Sequence, residues 1–400
     1  MPELPEVEAA RSRLERAALG KKIVSVVTTV DPIVYSGCTD ATFATAIENQ
    51  TVHAIRRRGK NFYMVLSAPP HPIFHFGMSG MAHVRGEPSP VYRVPRSKSA
   101  ANDWPPKYMK CCLTFRADDG ATSEWAFCDP RRLGRIKLVD CAAEDLESVS
   151  PLGDLGADPY LNMPPLEVLS AALLKRHAPI KAVLLDQASP LCGIGNYMVD
   201  EILYQSAIHP SHPASALSDD QFVVLHAQIQ NVTNTAVAVD ADASRFPSTW
   251  LFSARWNKGK KVQNEFTLPD GSTSTVSFVT VGGRTSAVVD RVQILPEGLA
   301  TRKKRTTKQE RSEERDKEKP NSFVASKRRK KQDEDKSPSK WTVHMVEKVD
   351  ASALDEEEQK PELTQRAQQE DKAATSPYFR RSRRITARTE INYEEGYSEL

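Results

Sequence analysis

The chain has 400 residues, 27% of them charged and 39% hydrophobic, with a formal net charge of +3. No run of about 18 apolar residues is present, and the N-terminus lacks an apolar signal core, so neither a membrane-spanning helix nor secretion is expected. Residues 301–400 hold 25 Lys/Arg and 21 Asp/Glu, the first 300 hold 30 and 31, so the segment able to fold is not globally basic and any nucleic-acid contact must use local clusters.

The first residues read Met1-Pro2-Glu3-Leu4-Pro5-Glu6-Val7-Glu8. Proline at the second position favours removal of Met1, which leaves a secondary amine as the first atom. An α-amino group titrates at about 8, against about 10.4 for lysine, so this one is partly uncharged and nucleophilic at neutral pH. Such an amine condenses with an aldehyde to an iminium, and the Glu3 carboxylate can move protons on the adduct. The plainer alternative is that Pro2 and Pro5 only shape a helix start.

Glu6–Leu19 reads as a helix, with Val7, Ala10, Leu14 and Ala18 near helical spacing. Strand-like runs follow at Ile23–Val30, Thr51–Arg56, Asn61–Leu66, Ile73–Phe76, Tyr108–Phe115, Thr122–Phe127 and Arg135–Val139, with Asp119-Gly120 as a hairpin signal. The pattern predicts an α+β chain in which residues 1–140 form an N-terminal helix plus an antiparallel β-sandwich. Pro88–Pro106 reads as a surface insertion and 141–163 as a linker. Residues 164–245 turn helical, at Pro165–Arg176, Ile180–Asp186, Asn196–Ser206 and Ser218–Val239. Over 246–296 strand signals return, with turns at Pro269-Asp270-Gly271 and Gly282-Gly283. Residues 297–400 are too poor in apolar side chains to offset their ordering entropy and are expected to be a disordered charged tail. Its Arg302–Arg305 and Lys327–Lys331 clusters suit a nuclear address or a nucleic-acid patch, against solvated charge with no address.

The six cysteines form no CxxC pair and none follows Cys192, which argues against a zinc ribbon in the C-terminal half and fits a reducing compartment. Five further motifs carry chemistry. The run Arg56-Arg57-Arg58-Gly59-Lys60 lets basic side chains approach a phosphate, unless it is ordinary strand-edge charge. In His75-Phe76-Gly77-Met78-Ser79-Gly80 the glycines argue for a displayed Met78, although a methionine is more often core. Asp129-Pro130-Arg131-Arg132-Leu133-Gly134 sets an arginine beside an apolar residue, which suits a wedge filling the hole left by an extruded base; a surface turn with a salt bridge is the alternative. Gly193-Ile194-Gly195-Asn196 starts a helix whose exposed amides form an anion site, with Asn196 as a possible cap. Gly282-Gly283-Arg284 puts an arginine on a thin hairpin tip suited to phosphate.

Together these motifs resemble the formamidopyrimidine-DNA glycosylase / endonuclease VIII family of base-excision repair, from Pro2 to about Gln293. Trp250-Leu251-Phe252, Arg255-Trp256 and Gly282–Thr285 look like its plant and fungal branch, which replaces the zinc finger by a metal-free hairpin. The resemblance implies a helix-two-turn-helix region at 164–245, a zincless-finger β-hairpin at 246–296, and no metal or cofactor. It implies a bifunctional glycosylase/AP lyase that removes oxidised or ring-opened bases, formamidopyrimidines and hydantoins ahead of 8-oxoguanine. Pro2 is the nucleophile in that scheme, Glu3 the general acid/base, Lys60 the lysine assisting β-elimination, and Arg284 the finger arginine of the δ step. Met78, Arg131 and Leu133 match the void-filling triad, with Leu133 where bacterial members often have Phe. Lys181 and Asn196 match DNA-backbone contacts, Glu6 a carboxylate of the pocket, and His75 and Tyr108 further DNA contacts. The partner expected is damaged double-stranded DNA, bound by a monomer in the nucleus, with the tail available to nucleic acid or repair and chromatin proteins. Two other classes fit less well. A catalytically silent lesion binder would not need the amine–carboxylate pair, and tautomerase-type chains are short and begin with a strand.

Overall fold

The computed structural model describes residues 2–88, 104–257 and 265–299. Most of the expected insertion at 88–106, and the tail beyond residue 299, lie outside the described residues.

The chain enters through α1, Leu4–Ala18. Its N-cap, Glu3, is extended, and the Glu6 side chain accepts the Glu3 N–H at 2.8 Å, so the first turn satisfies one of its orphan donors. Pro5 costs the helix nothing in that turn, where its missing N–H has no partner to lose. Val7, Ala10, Leu14 and Ala18 form the buried stripe that the spacing predicts.

Two four-stranded antiparallel sheets follow. One has the order β1 (Lys22–Thr28), β6 (Met109–Arg116), β7 (Thr122–Cys128), β5 (Met81–Val84). The other runs β2 (Val52–Arg58), β3 (Asn61–Leu66), β4 (His71–His75), β8 (Arg135–Val139). Their facing sides enclose an aromatic core of Phe62, Phe74, Phe76, Trp125 and Phe127, in which Phe62 and Phe74 stack at 5.2 Å. The strand expectations hold apart from two additions. β5 is four residues long, too short to display alternation. Helix α2 (Asp40–Ile47) buries only Phe43 and Ile47, and its signal is the reciprocal Thr39–Thr42 cap.

The segment at 141–163 is packed rather than loose. Leu146 and Leu152 cover Tyr63, Val65 and Ile73 on the outer side of the second sheet. Beyond it come α3 (Leu166–Leu174), α4 (Ile180–Leu184), α5 (Asn196–Gln205) and α6 (Asp219–Ala238). Ile180, Val183, Met198, Ile202, Leu225 and Ile229 share one core, and Leu4 of α1 inserts into it. The first turn of the chain is thus wedged against the helical region. Strands β9 (Glu265–Thr267), β10 (Thr273–Val281) and β11 (Arg284–Val289) form the last sheet, which packs Phe266, Val276, Ala287 and Val289 onto Tyr204 of α5. The β10–β11 register pairs Val281 with Arg284, leaving Gly282 and Gly283 as a two-residue turn at φ +57° and +74°. Both central residues of such a turn need φ > 0, which explains the glycine pair.

Candidate active site

A cleft of about 570 Å³ opens where α1, the start of α5 and the last hairpin meet. Glu3, Glu6, Met78, Arg131, Asn196, Arg255, Trp256 and Arg284 are among its lining residues.

Glu3 is held from below. Its two carboxylate oxygens accept the N–H groups of Tyr197 and Met198 at 2.9 and 3.1 Å, in the first turn of α5. The anion site expected at this helix N-terminus therefore exists, and its anion is Glu3 itself. The helix dipole and the two first-turn amides favour that charge. The glycine turn makes the approach possible: a Cβ on Gly195 would lie 2.1 Å from the Glu3 carboxyl carbon. Asn196 is the first helical residue, the cap being Gly195. Its amide nitrogen donates to the Thr285 carbonyl at 3.2 Å, and its side-chain oxygen is buried without a partner among the described residues.

Burial raises the pKa of Glu3, opposed by Lys60 and by the two amides. Glu6 is pushed up to about 8, by burial first and then by the charge of Glu3. Two buried carboxyls that feel one another's charge cannot both ionise cheaply. Pro2, next to Glu3, is buried as well.

Lys60 comes from the β2–β3 turn. Its ammonium donates to the Ile194 carbonyl at 2.8 Å, beside the start of α5. Burial lowers its pKa, Glu3 opposes this, and the charge of Arg284 lowers it further. A lysine whose charged form is disfavoured is closer to acting as a base near neutral pH. Arg284 itself is exposed on the hairpin tip.

The rest of the basic run points elsewhere. Arg57 is fully buried, bonded through Nε to Glu8 at 2.8 Å and through both terminal nitrogens to Asp158. Arg58 donates to the carbonyls of Glu147 and Leu155. Only Arg56 of the three is exposed, so the run is mainly a clamp between the second sheet and the 141–163 segment. Strand alternation predicts that Arg57 faces opposite to its neighbours, but not that Asp158 waits for it.

The two loop motifs meet. Asp129, completely buried, accepts Ser79 Oγ at 2.7 Å, the Arg131 N–H at 3.1 Å and the Gly134 N–H at 2.6 Å. This ties the Met78 loop to the Arg131–Leu133 loop, and Met78 and Leu133 stand 36% and 39% exposed. Arg132 is paired with Asp31, which leaves Arg131 as the arginine that lines the cleft. His75 Nδ1 accepts the Gly77 N–H at 3.1 Å, and burial with nearby Lys60, Arg135 and Lys137 lowers its pKa to about 4. It is therefore a neutral brace of the Met78 loop. Tyr108 is 52% exposed, with its carbonyl accepting the Asp129 N–H at 3.0 Å, so it borders the same loop cluster.

Lys181 departs from the expectation. A lysine contacting the DNA backbone should be exposed, yet this one is 0% exposed. Its ammonium is 2.6 Å from Asp200 Oδ1 and 3.0 Å from the Thr285 carbonyl. The lysine faces inward because it lies on the side of α4 that packs on α5 and the hairpin. The cleft also includes Tyr197, Asp200, Phe252, Arg255 and Trp256, none of which sequence reasoning assigned to the site. The aromatic and arginine content of 250–256 was the available signal. Arg255 stacks over the Trp256 ring at 4.9 Å and its Nε donates to Asp200 at 2.7 Å.

The family model described as the formamidopyrimidine-DNA glycosylase N-terminal domain matches residues 1–136, and that of the formamidopyrimidine-DNA glycosylase H2TH domain matches 155–248. The chain is 41% identical over 295 residues to formamidopyrimidine-DNA glycosylase of Arabidopsis thaliana, covering 74% of this chain and 71% of that protein. It is 30% identical over 264 residues to the same enzyme of Lactiplantibacillus plantarum, covering 66% and 86%. The solved structure of Lactococcus lactis formamidopyrimidine-DNA glycosylase, non-covalently bound to DNA with an abasic site, superposes with a TM-score of 0.57 at 21% identity, over 73% of this chain and 100% of that one. At that identity the likeness concerns the fold. On the family models and the Arabidopsis relative, the chain belongs to the formamidopyrimidine-DNA glycosylase family.

Proposed function

We propose that the protein is a base-excision-repair DNA glycosylase with AP lyase activity, acting through the amine of Pro2 once Met1 is removed. The observation that carries this reading is the meeting of Glu3 and Arg284, from opposite ends of the folded chain, on one cleft, with Lys60 close enough behind it to feel the charge of both.

A damaged base rotates out of the duplex, with Met78, Arg131 and Leu133 filling the space it leaves. The Pro2 nitrogen bonds to C1′ of the sugar as the bond from C1′ to the base breaks. Glu3 serves as the acid and base for base departure and sugar-ring opening, held in line by the amides of Tyr197 and Met198. The resulting iminium acidifies the C2′ proton. Its removal, assisted by Lys60, expels the 3′ phosphate in β-elimination. Loss of the C4′ proton then expels the 5′ phosphate, whose charge Arg284 compensates. Met78, Arg131 and Glu6 line the same cleft as Glu3. We further propose oxidised and ring-opened bases in duplex DNA as substrates, formamidopyrimidines and hydantoins first, for a monomer acting in the nucleus.

Borohydride added to the protein with abasic-site duplex tests the reading. A covalent complex is expected. Pro2→Gly should weaken trapping, and Glu3→Gln should stop excision from lesion-bearing duplex. Tight binding without trapping, or a mature protein that retains Met1 by mass spectrometry, overturns it.

A further inference from the structure

We propose that Asp200 is the positioning residue of the hairpin arginine, a buried carboxylate that fixes Arg284 at the cleft for the second strand-breaking step. The inference rests on the lyase reading above.

Asp200 lies one turn after Asn196 on α5 and is 2% exposed. One carboxylate oxygen accepts Lys181 Nζ at 2.6 Å; the other accepts Arg255 Nε at 2.7 Å and the Ala287 N–H at 3.2 Å. Lys181 then donates to the Thr285 carbonyl at 3.0 Å, which the Asn196 amide also reaches at 3.2 Å. Thr285 follows Arg284 directly, and Ala287 is two residues further along β11. The backbone that carries Arg284 is therefore held to α4 and α5 at two points, each with a bond that leads to one carboxylate, and Asn196 adds a separate bond at the first.

The tip needs that hold. Gly282 and Gly283 are exposed at positive φ and have no side chains with which to pack. The direction of Arg284 must come from its pairing with Val281 of β10 and from the strand that follows it. Stability alone is a weak reason for a carboxylate between two cations here, because an apolar trio of similar volume commonly supports a fold as well. Apolar side chains would not bond the Thr285 carbonyl or the Ala287 amide, and both groups set the register of β11 against α5.

A displaced Arg284 leaves the first elimination intact in kind and starves the second, since the 5′ phosphate then departs without its counter-charge. The test uses the full chain and abasic-site duplex, with β and β,δ products separated on a gel and borohydride trapping run in parallel. In Lys181→Met the ratio of β,δ to β product, per trapped complex, should fall about tenfold, less than the roughly hundredfold cost of a full 1 Å misplacement because Asn196 and Ala287 still hold β11. Adding Arg284→Ala to Lys181→Met should lower the ratio no further than Arg284→Ala alone, because the two act through one group. Asp200→Asn should fall in the same way. If it does not fold, Lys181→Met decides, because it keeps the Asp200–Arg255 pair. A variant with a lowered melting temperature and an unchanged product ratio overturns the proposal and leaves Asp200 a structural residue. Wild-type protein that neither traps nor cleaves defeats the lyase reading, and this inference with it.

Discussion

Gly195→Ala isolates the placement of Glu3. Gly195 is extended, at φ −119° and ψ −166°, a conformation open to any residue, so the substitution adds no backbone strain. What it adds is a methyl 2.1 Å from the Glu3 carboxyl carbon and 2.5 Å from Oε1, where ordinary contact begins at 3.4 Å. An exposed carboxylate would swing aside. Glu3 is 1% exposed and bonded to two amides, so a retreat of about 1 Å or more forfeits the bonds from Tyr197 and Met198. Each charge-assisted bond of this kind is worth about 1.5–3 kcal/mol, and a misplacement on this scale costs about a hundredfold in rate. Single-turnover excision from a lesion-bearing duplex should therefore slow by about a hundredfold. Trapping on a preformed abasic site, which needs the Pro2 amine but no base departure, should fall less. Glu3→Ala makes room for the methyl, so the double variant should be no slower than Glu3→Ala alone. Excision by Gly195→Ala at the wild-type rate, with the fold intact, refutes the assignment of Glu3 as the acid positioned by α5.

Arg57→Leu leaves Glu8 and Asp158 without their buried partner, and a loss of about 3–5 kcal/mol in urea unfolding is expected; an unchanged midpoint would return Arg57 to the surface. Glu6 has a folded pKa of about 8 against an ordinary 4.5, so its contribution is fully present below about 4.5 and is lost as pH rises through 8. Melting temperature should therefore decline from pH 5 to 9, and Glu6→Gln should flatten that slope. It should not abolish it, because Glu201, also raised to about 8 by burial, acts in the same window. Met78→Ala combined with Leu133→Ala should slow excision from a paired duplex about tenfold while sparing a lesion in a mismatched bubble, where unstacking is already complete; equal slowing on both substrates counts against a wedge.

Local signals carried the fold because each element states itself in its own residues. The α1 stripe, seven strands, the helical stretch and the Gly282-Gly283 turn all rest on spacings within a few residues. The missed elements are those whose reasons lie elsewhere in the chain or in too few side chains, as with β5 and the two-anchor α2. The site divides along the same line. Asp129-Pro130-Arg131 and Gly193-Ile194-Gly195 could be read as special backbone, but their consequence depends on distant partners. The anion at the start of α5 is supplied from almost two hundred residues upstream, by Glu3. The inward course of Arg57 and Lys181 was hidden for one reason: a cation in sequence carries no sign of which carboxylate it will meet. Asp158 takes the first and Asp200 the second. A buried ion pair is a long-range fact, and one sequence contains it only as two unconnected halves. Hence Arg131 and Arg284, which remain exposed after folding, line the cleft, whereas Arg57 and Lys181, with their matching acids, became part of the scaffold around it.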